Sequence, residues 1–140
     1  MGTGQYPNRV PGRFLIPPSV FASTEDAAPF DDVAPQAGLN LIATAGGVIV
    51  DDLLNSGRFD VMTSNFDSCG PMHLRRNKGD GTFEERATQA GLGGELGGLN
   101  ILQADYNNDG CLDVVVLRGG WQLPQTKSLL RNNCNGTFTN

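Results

Sequence analysis

The amino-acid sequence predicts an all-β fold made of about two four-stranded antiparallel sheets. The first observation is an internal repeat, whose matched segments lie 53 to 55 residues apart. The second is a set of short apolar runs bounded by turn residues, of which Val114–Leu117 is the clearest. The third is the content of 19 glycines and 8 prolines in 140 residues, which favours tight turns and disfavours long helices.

Three pairs of matched segments recur in the same order along the chain. A period of about 50 residues is typical of propeller blades or other β-arrays, and it differs from the roughly 34-residue period of common helical repeats. Four strands, A to D, are predicted in each unit, with a DxNxDG-type turn between A and B and a Gly-rich turn between C and D. The matched segments are 30–39 with 83–92, 52–60 with 105–113, and 76–83 with 131–138.

The repeat divides the chain into three parts. Residues 1–28 are rich in Pro, Gly and small polar residues and are predicted to form an irregular leader. Residues 29–82 form the first repeat and residues 83–140 the second. Propellers close with about 4–8 blades, so two units predict either part of a longer array or a chain that self-associates through exposed blade edges.

The composition excludes several functions. A net charge of −5 disfavours nucleic-acid binding, which needs clustered Lys and Arg. No stretch approaches the roughly 20 apolar residues of a membrane span. The cysteines and the single histidine, His73, fit no zinc-site spacing and no nucleophilic catalytic set, so the sequence predicts a protein that is not an enzyme. No convincing signal peptide is present, which leaves open a cytoplasmic chain or a start upstream of Met1.

The loop DYNNDGCLD, residues 105–113, is predicted to bind Ca²⁺ just before strand B begins. Calcium takes about six to eight oxygen ligands, and alternation turns the side chains of Asp105, Asn107 and Asp109 inward. The carbonyl oxygen of Cys111 adds a ligand, and Asp113 closes the site. Without a cation, converging carboxylates would repel one another by up to about 4 kcal/mol per close pair at an effective dielectric near 20. An Asx-rich turn without metal is the alternative.

The residues around this loop distinguish it from other calcium loops. An EF-hand needs Glu at its twelfth position, where this chain has Val116. A dockerin-like loop would continue into a helix, whereas VVVLR predicts a strand. In the first repeat Leu54 replaces the second ligand, so Asp52, Ser56 and Asp60 are predicted to form a weaker second metal site.

Two of the three cysteines are predicted to meet across strands B and C. If Val114 lies opposite Arg131 in an antiparallel pair, the same register places Cys111 opposite Cys134. Cross-strand neighbours satisfy the Cα separation of no more than about 7 Å that a disulfide requires. The bond would indicate an oxidising compartment, two reduced thiols are the alternative, and Cys69 stays unpaired.

These segments together resemble a known repeat family. DYNNDGCLDVVVL followed by LLRNNCNGTFTN resembles the FG-GAP/VCBS repeats of integrin-alpha-like β-propellers. The stretches FDDVAPQAGL and LRRNKGDGTF resemble the cartilage acidic protein/ASPIC-UnbV branch. The resemblance covers residues 30–140 and implies a seven-bladed propeller, of which this chain would hold about two blades.

The resemblance also implies a function. It implies secretion or surface display, in an extracellular or periplasmic location, with a non-catalytic role in adhesion or in binding a protein, cell-surface or polysaccharide partner. The propeller portion of a larger secreted enzyme, whose catalytic part lies outside this chain, is the alternative. Cys134 in place of the family's Gly and the degenerate first loop depart from the family pattern. The resemblance assigns Ca²⁺ binding to Asp105, Asn107, Asp109, Cys111 and Asp113.

Overall fold

The computed structural model describes residues 16–22, 30–41, 44, 46–67, 69–119 and 123–140. The chain forms two compact units, Met1–Asp31 and Asp32–Asn140. The described part of the first unit includes a 3-10 helix, Pro18–Phe21. Most of the leader predicted over residues 1–28 lies outside the described residues. Within the described part of the chain, no helix is long and apolar enough to cross a membrane.

The second unit contains two four-stranded antiparallel sheets, and in each sheet the strands lie side by side in chain order. The predicted all-β fold is therefore confirmed, and we call the sheets the first and second blade. The one α-helix among the described residues, α1 (Ala34–Ala37), is a single turn. The strands are β1 (Val48–Asp51), β2 (Asp60–Thr63), β3 (His73–Asn77) and β4 (Phe83–Glu85) in the first blade, and β5 (Asn100–Ala104), β6 (Asp113–Leu117), β7 (Ser128–Asn132) and β8 (Phe138–Thr139) in the second.

The register between β6 and β7 differs by one residue from the prediction. Val114 lies opposite Leu130, so its predicted pairing with Arg131 is wrong. Because side chains alternate between the two faces of a strand, a shift of one residue exchanges the buried and exposed sets. The observed register buries Leu130 completely and leaves the charged Arg131 exposed, which avoids burial of an unpaired guanidinium.

The two blades share one hydrophobic core. In the first blade Ile49, Met62 and Leu74 lie side by side across three strands and are almost completely buried. Val114 and Leu130 of the second blade belong to the same buried cluster. Burial of each such side chain contributes about 1.5–3 kcal/mol relative to exposure. This packing between the blades fixes the positions of the turns at their ends.

The repeated Ala-Gly-Leu segments fold over the fourth strands. Gly38 and Gly91 end equivalent turns, with φ of 75° and 80°. A Cβ atom at Gly38 would lie 2.7 Å from the carbonyl oxygen of Phe83, and one at Gly91 would lie 2.9 Å from that of Phe138. Only glycine, which has no Cβ atom, therefore allows these turns to approach β4 and β8 so closely.

Repeat and blade boundaries are offset along the chain. The second repeat begins in sequence at residue 83, yet β4 (Phe83–Glu85) completes the first sheet. The turn that follows it packs on the second blade, where the N–H of Phe138 donates to the carbonyl oxygen of Ala90 at 2.8 Å. Residues 83–92 thus contribute to both blades and connect them.

Candidate metal site

The predicted calcium loop joins β5 to β6, and we call residues 105–113 the second A–B loop. Asp105 organises it by accepting two backbone N–H groups, from Asp109 at 3.0 Å and from Gly110 at 2.8 Å. Asn108 and Gly110 adopt positive φ values of 60° and 86°. Asn tolerates this left-handed conformation and Gly adopts it freely, so the sequence is suited to so tight a turn.

The two middle donors of this loop are bonded to each other. Asn107 Oδ1 accepts the N–H of Asp109 at 3.0 Å, and Asn107 Nδ2 donates to Asp109 Oδ2 at 2.7 Å. The other carboxylate oxygen of Asp109 accepts the N–H of Cys111 at 2.9 Å. Both side chains are exposed to solvent, so an ion can reach them.

Asp113 closes the loop and is almost completely buried, with 1% of its surface exposed. Its Oδ1 accepts the N–H of Asn132 at 2.7 Å and its Oδ2 accepts the N–H of Tyr106 at 3.2 Å. The side chain thereby ties the A–B loop to β7. A carboxylate has about four lone-pair sites, so these two bonds leave capacity for a metal ligand.

The donor types suit a hard cation such as Ca²⁺, which prefers carboxylate and carbonyl oxygens, although the three carboxylates do not all lie within 4.8 Å of one another. Asp105, Asp109 and Asp113 bring three carboxylates into one nine-residue segment, and Asn107 adds an amide oxygen. Among the described residues, no Lys or Arg forms an ion pair with any of these carboxylates. The negative charge of the loop is therefore not neutralised by an ion pair within the described ranges of the chain.

The first blade repeats the backbone of this loop without all of its donors. In residues 52–60, the first A–B loop, Asp52 accepts the N–H groups of Ser56 at 2.7 Å and Gly57 at 2.8 Å. Asn55 and Gly57 have positive φ values of 52° and 75°. The Ser56 hydroxyl oxygen is shielded from solvent and, in the part of the chain that the structure describes, has no hydrogen-bond partner. The loop therefore keeps the turn but lacks the carboxylate that corresponds to Asp109.

Asp60 occupies the position that corresponds to Asp113. It is completely buried and accepts the N–H groups of Asn77 at 2.9 Å and Leu54 at 3.1 Å. Burial raises the pKa of its carboxyl group above the ordinary value. The backbone hydrogen bonds oppose this shift, and the nearby charge of Asp52 adds to it.

A disulfide lies beside the second A–B loop. Cys111 and Cys134 are joined, with their Cα atoms 5.7 Å apart. Both residues lie beyond the ends of β6 and β7, and Cys134 has a φ of 57°, so they meet without following the strand register. The Asp109 carboxylate lies close to both sulfurs, but metal binding by cysteine requires thiolates, so these three residues do not form a metal site. Cys69 is free and exposed.

Two asparagines connect the loops of different blades, and the sequence did not indicate these roles. The buried Asn132 donates from Nδ2 to the carbonyl oxygens of Leu53 at 2.9 Å and Leu112 at 3.1 Å. Asn55 donates from Nδ2 to the sulfur of Cys111 at 3.0 Å. The only sequence signal was the Arg-Asn pair that occurs at the end of strand C in both repeats.

His73, the single histidine, lies on β3 against an acidic residue. Its Nδ1 is 3.0 Å from Glu85 Oε2, and Arg75 Nε is 3.3 Å from the same oxygen. Burial works to raise the pKa of Glu85, but hydrogen bonds from Ala87, His73 and Leu74 and the charge of Arg75 outweigh it and lower that pKa. The arrangement is an ion cluster that connects β3 to β4.

Comparison with known proteins places these loops in a family. Residues 52–116 match the FG-GAP-like repeat family, a range that includes both A–B loops. Cartilage acidic protein 1 of Xenopus tropicalis is 36% identical over 106 residues, which cover 75% of this chain and 16% of that protein. The Homo sapiens and Mus musculus proteins of the same name are 37% and 36% identical over 94 residues, or 66% of this chain and 14% of each relative.

The chain spans only 14% to 16% of the length of these relatives. The similarity nevertheless extends over most of this chain, and it agrees with the loop and turn motifs that the two blades share. The chain is an FG-GAP-like repeat protein on the cartilage acidic protein branch, as its motifs predicted.

Proposed function

We propose that this chain is a calcium-binding, non-catalytic repeat module that mediates adhesion or binding to a partner outside the cell. The observation that carries the proposal is the second A–B loop. Its three carboxylates lie within nine residues, have no ion-pair partner among the described residues, and keep free lone pairs. Asp105, Asn107, Asp109, the Cys111 carbonyl and Asp113 would hold the ion.

Bound calcium would supply positive charge to a loop that has none. The protein residues then act as a rigid connection: Asp105 fixes the turn and Asp113 ties it to β7. The result is a stiff end of the second blade, on which the exposed side chains of the loop hold constant positions. Such stiffness favours partner binding because less conformational entropy is lost on association.

The first A–B loop is the weaker site in this proposal. Asp52, Ser56 and Asp60 offer two carboxylates and one hydroxyl, and Leu54 contributes no donor. The raised pKa of Asp60 reflects a carboxylate that burial disfavours in its charged form. A carboxyl group with this tendency is a poorer ligand for a cation than one that is fully ionised.

The cysteine pair supports an extracellular or periplasmic location. Disulfides persist in oxidising compartments and are rare in the cytosol. Cys111 and Cys134 lie in turns that face each other at a Cα separation within the ordinary range for a disulfide. The partner itself, whether a protein or a surface polysaccharide, follows from the family resemblance alone.

The second blade has an apolar face that supports self-association. Leu102, Val115 and Leu129 lie side by side across β5, β6 and β7, and Leu102 and Leu129 are 52% and 41% exposed. We propose that a second copy of this chain covers this row. It would use the face of its first blade that points away from the core, because within the chain the equivalent face of the second blade already packs on the first blade. The repeat aligns these three residues with Ile49, Met62 and Leu74, which are buried between the blades.

Calorimetry with Ca²⁺ and with EDTA tests the calcium proposal. The melting temperature should rise with Ca²⁺, and a concentration one hundred times Kd corresponds to about 2.7 kcal/mol of stabilisation. Asp105→Asn should lose this response. Asp52→Asn is the matched control, because it replaces one of two backbone-accepting oxygens in the first loop as Asp105→Asn does in the second. Since the first loop is the weaker site, this control should keep most of the response. An unmodified chain that does not respond to Ca²⁺, or an Asp105→Asn variant that responds fully, would overturn the proposal.

A further inference from the structure

A second polar site lies between the blades, and none of its lining residues belongs to the second A–B loop. It is a cavity of about 240 Å³ between the first A–B loop and the turn that joins β7 to β8. This volume is below the roughly 300–1,000 Å³ of sites for drug-sized ligands, so the cavity suits a small group. Its polar lining residues are Ser56, Arg76, Arg86, Gln89, Asn135 and Thr137.

The charge of this cavity is opposite to that of the chain. Two arginines and no Asp or Glu line it, although the protein has a net charge of −5. In the described part of the chain no carboxylate forms an ion pair with Arg86. Arg76 has one partner, Glu84, at 3.4 Å, and both side chains are 41% exposed. The two guanidinium groups thus have most of their N–H donors available.

Neutral donors complete the lining. Asn135 Oδ1 accepts from the N–H and the hydroxyl of Thr137, at 3.1 Å and 2.7 Å, which leaves its Nδ2 group as a donor without a protein partner among the described residues. The Ser56 side chain also lines the cavity, but its hydroxyl oxygen is shielded from solvent and has no partner among the described residues. Donors therefore outnumber acceptors on the walls of the cavity, and they come from both blades.

We propose that this cavity binds a tetrahedral oxyanion, a sulfate or phosphate group. Guanidinium forks match the paired oxygens of such groups, and hydrogen bonds between charged partners are roughly twice as strong as neutral ones. Four oxygens on one centre suit donors that approach from several sides. The ion would connect Arg76 and Arg86 to the turn that contains Asn135, and so tie the first blade to the second.

The two A–B loops then differ in what they border: the first loop, the weaker cation site, also lines the proposed anion cavity. Leu54 and Ser56, which line the cavity, stand where the second loop has Asn107 and Asp109. A carboxylate at position 56 would place a negative charge in the cavity and oppose anion binding. Leu54 and Ser56 thus have two effects: the first loop has fewer calcium donors than the second, and the cavity receives no negative charge from this loop.

Isothermal titration calorimetry of the whole chain in EDTA tests the proposal independently of calcium. Inorganic sulfate and inorganic phosphate should each bind with one site per chain at constant ionic strength set with chloride. Arg86→Gln should weaken binding by about tenfold, the loss of one strong charged contact. Arg131→Gln is the matched control, since it removes the same charge from an exposed position on β7 and should change the affinity by less than about twofold.

A second variant and a second probe keep the outcome decisive. Arg86→Lys keeps the charge but loses the fork, and it should bind at an intermediate affinity if the two-point contact matters. A 6-sulfated N-acetylglucosamine distinguishes a pendant group from a free ion: equal affinity indicates a group carried on a sugar, and loss of binding indicates the free ion. No heat with either inorganic anion, or equal weakening by Arg86→Gln and Arg131→Gln, would overturn the proposal.

Discussion

Asn132 connects the second blade to the first, and its replacement by alanine should lower the free energy of unfolding by about 2–4 kcal/mol. The side chain is 1% exposed. Its amide group donates to the Leu53 and Leu112 carbonyl oxygens, and its Oδ1 accepts the N–H of Cys134 at 3.0 Å. Truncation leaves three polar groups without this partner, of which the Leu53 contact is buried and the other two are half-buried. A fully buried group without a partner costs about 1–3 kcal/mol, and a half-buried one costs less because water reaches it.

The first blade supplies a matched control in Asn77, the equivalent residue of the repeat. Asn77 also bonds a carbonyl oxygen and an N–H group, those of Phe59 and Gly79, at 3.0 Å and 2.8 Å. Both contacts are exposed, so water replaces them in Asn77→Ala, and the expected loss is about 0.5–1 kcal/mol.

Urea denaturation at equal m-values measures both losses. Asn132 contributes to the free energy of unfolding through its burial between the blades and not through the Arg-Asn pair, which both repeats contain. Equal losses for Asn77→Ala and Asn132→Ala would refute this reasoning. A change in the m-value of Asn132→Ala would instead indicate that the two blades no longer unfold together.

Three further outcomes can be measured. Reduction of the disulfide between Cys111 and Cys134, 23 residues apart, should cost about 3 kcal/mol, and titration of the unfolded, non-reduced chain should find one free thiol; three would contradict the pairing. Because the folded pKa of Glu85 lies below its unfolded value of 4.5, its stabilisation is present above about pH 4.5 and is lost as pH falls through the lower folded pKa. Denaturation of Glu85→Gln across pH 2–6 should therefore show a flatter dependence than the unmodified chain, and an unchanged slope would contradict this role. Leu129→Glu should reduce concentration-dependent association in analytical ultracentrifugation, whereas Leu123→Glu, at an exposed leucine outside the apolar row, should not; equal effects would contradict the proposed face.

The sequence was sufficient for the blades because their signals are local. The short apolar runs, the Asx-Gly turns and the repeated segments are all visible in the sequence itself, so they predicted two four-stranded sheets without any knowledge of packing. The register of β6 and β7 was not local. It depends on whether Leu130 or Arg131 faces the core, and the cysteine pair does not fix it because both cysteines lie in turns beyond the strand ends.

The connections between the blades were beyond the sequence for a similar reason. Asn132 and Leu53 are 79 residues apart, and no motif indicates that their atoms meet. Arg86 and Asn135 line the same cavity although they belong to different turns. Such contacts follow from how two sheets stack, which only the three-dimensional structure provides.

Comparison of the two A–B loops shows which residues the turn itself requires. In both loops the first and last aspartates accept backbone N–H groups, and in both the two positive φ values fall at equivalent positions. These contacts are the same whether or not the middle donors are present. The turn therefore depends on its ends, and Asn107 and Asp109, or Leu54 and Ser56 in their place, would decide what it binds. A repeat protein built in this way could change the ligand of one blade without changing the fold of that blade, because the middle positions can vary while the end aspartates hold the turn.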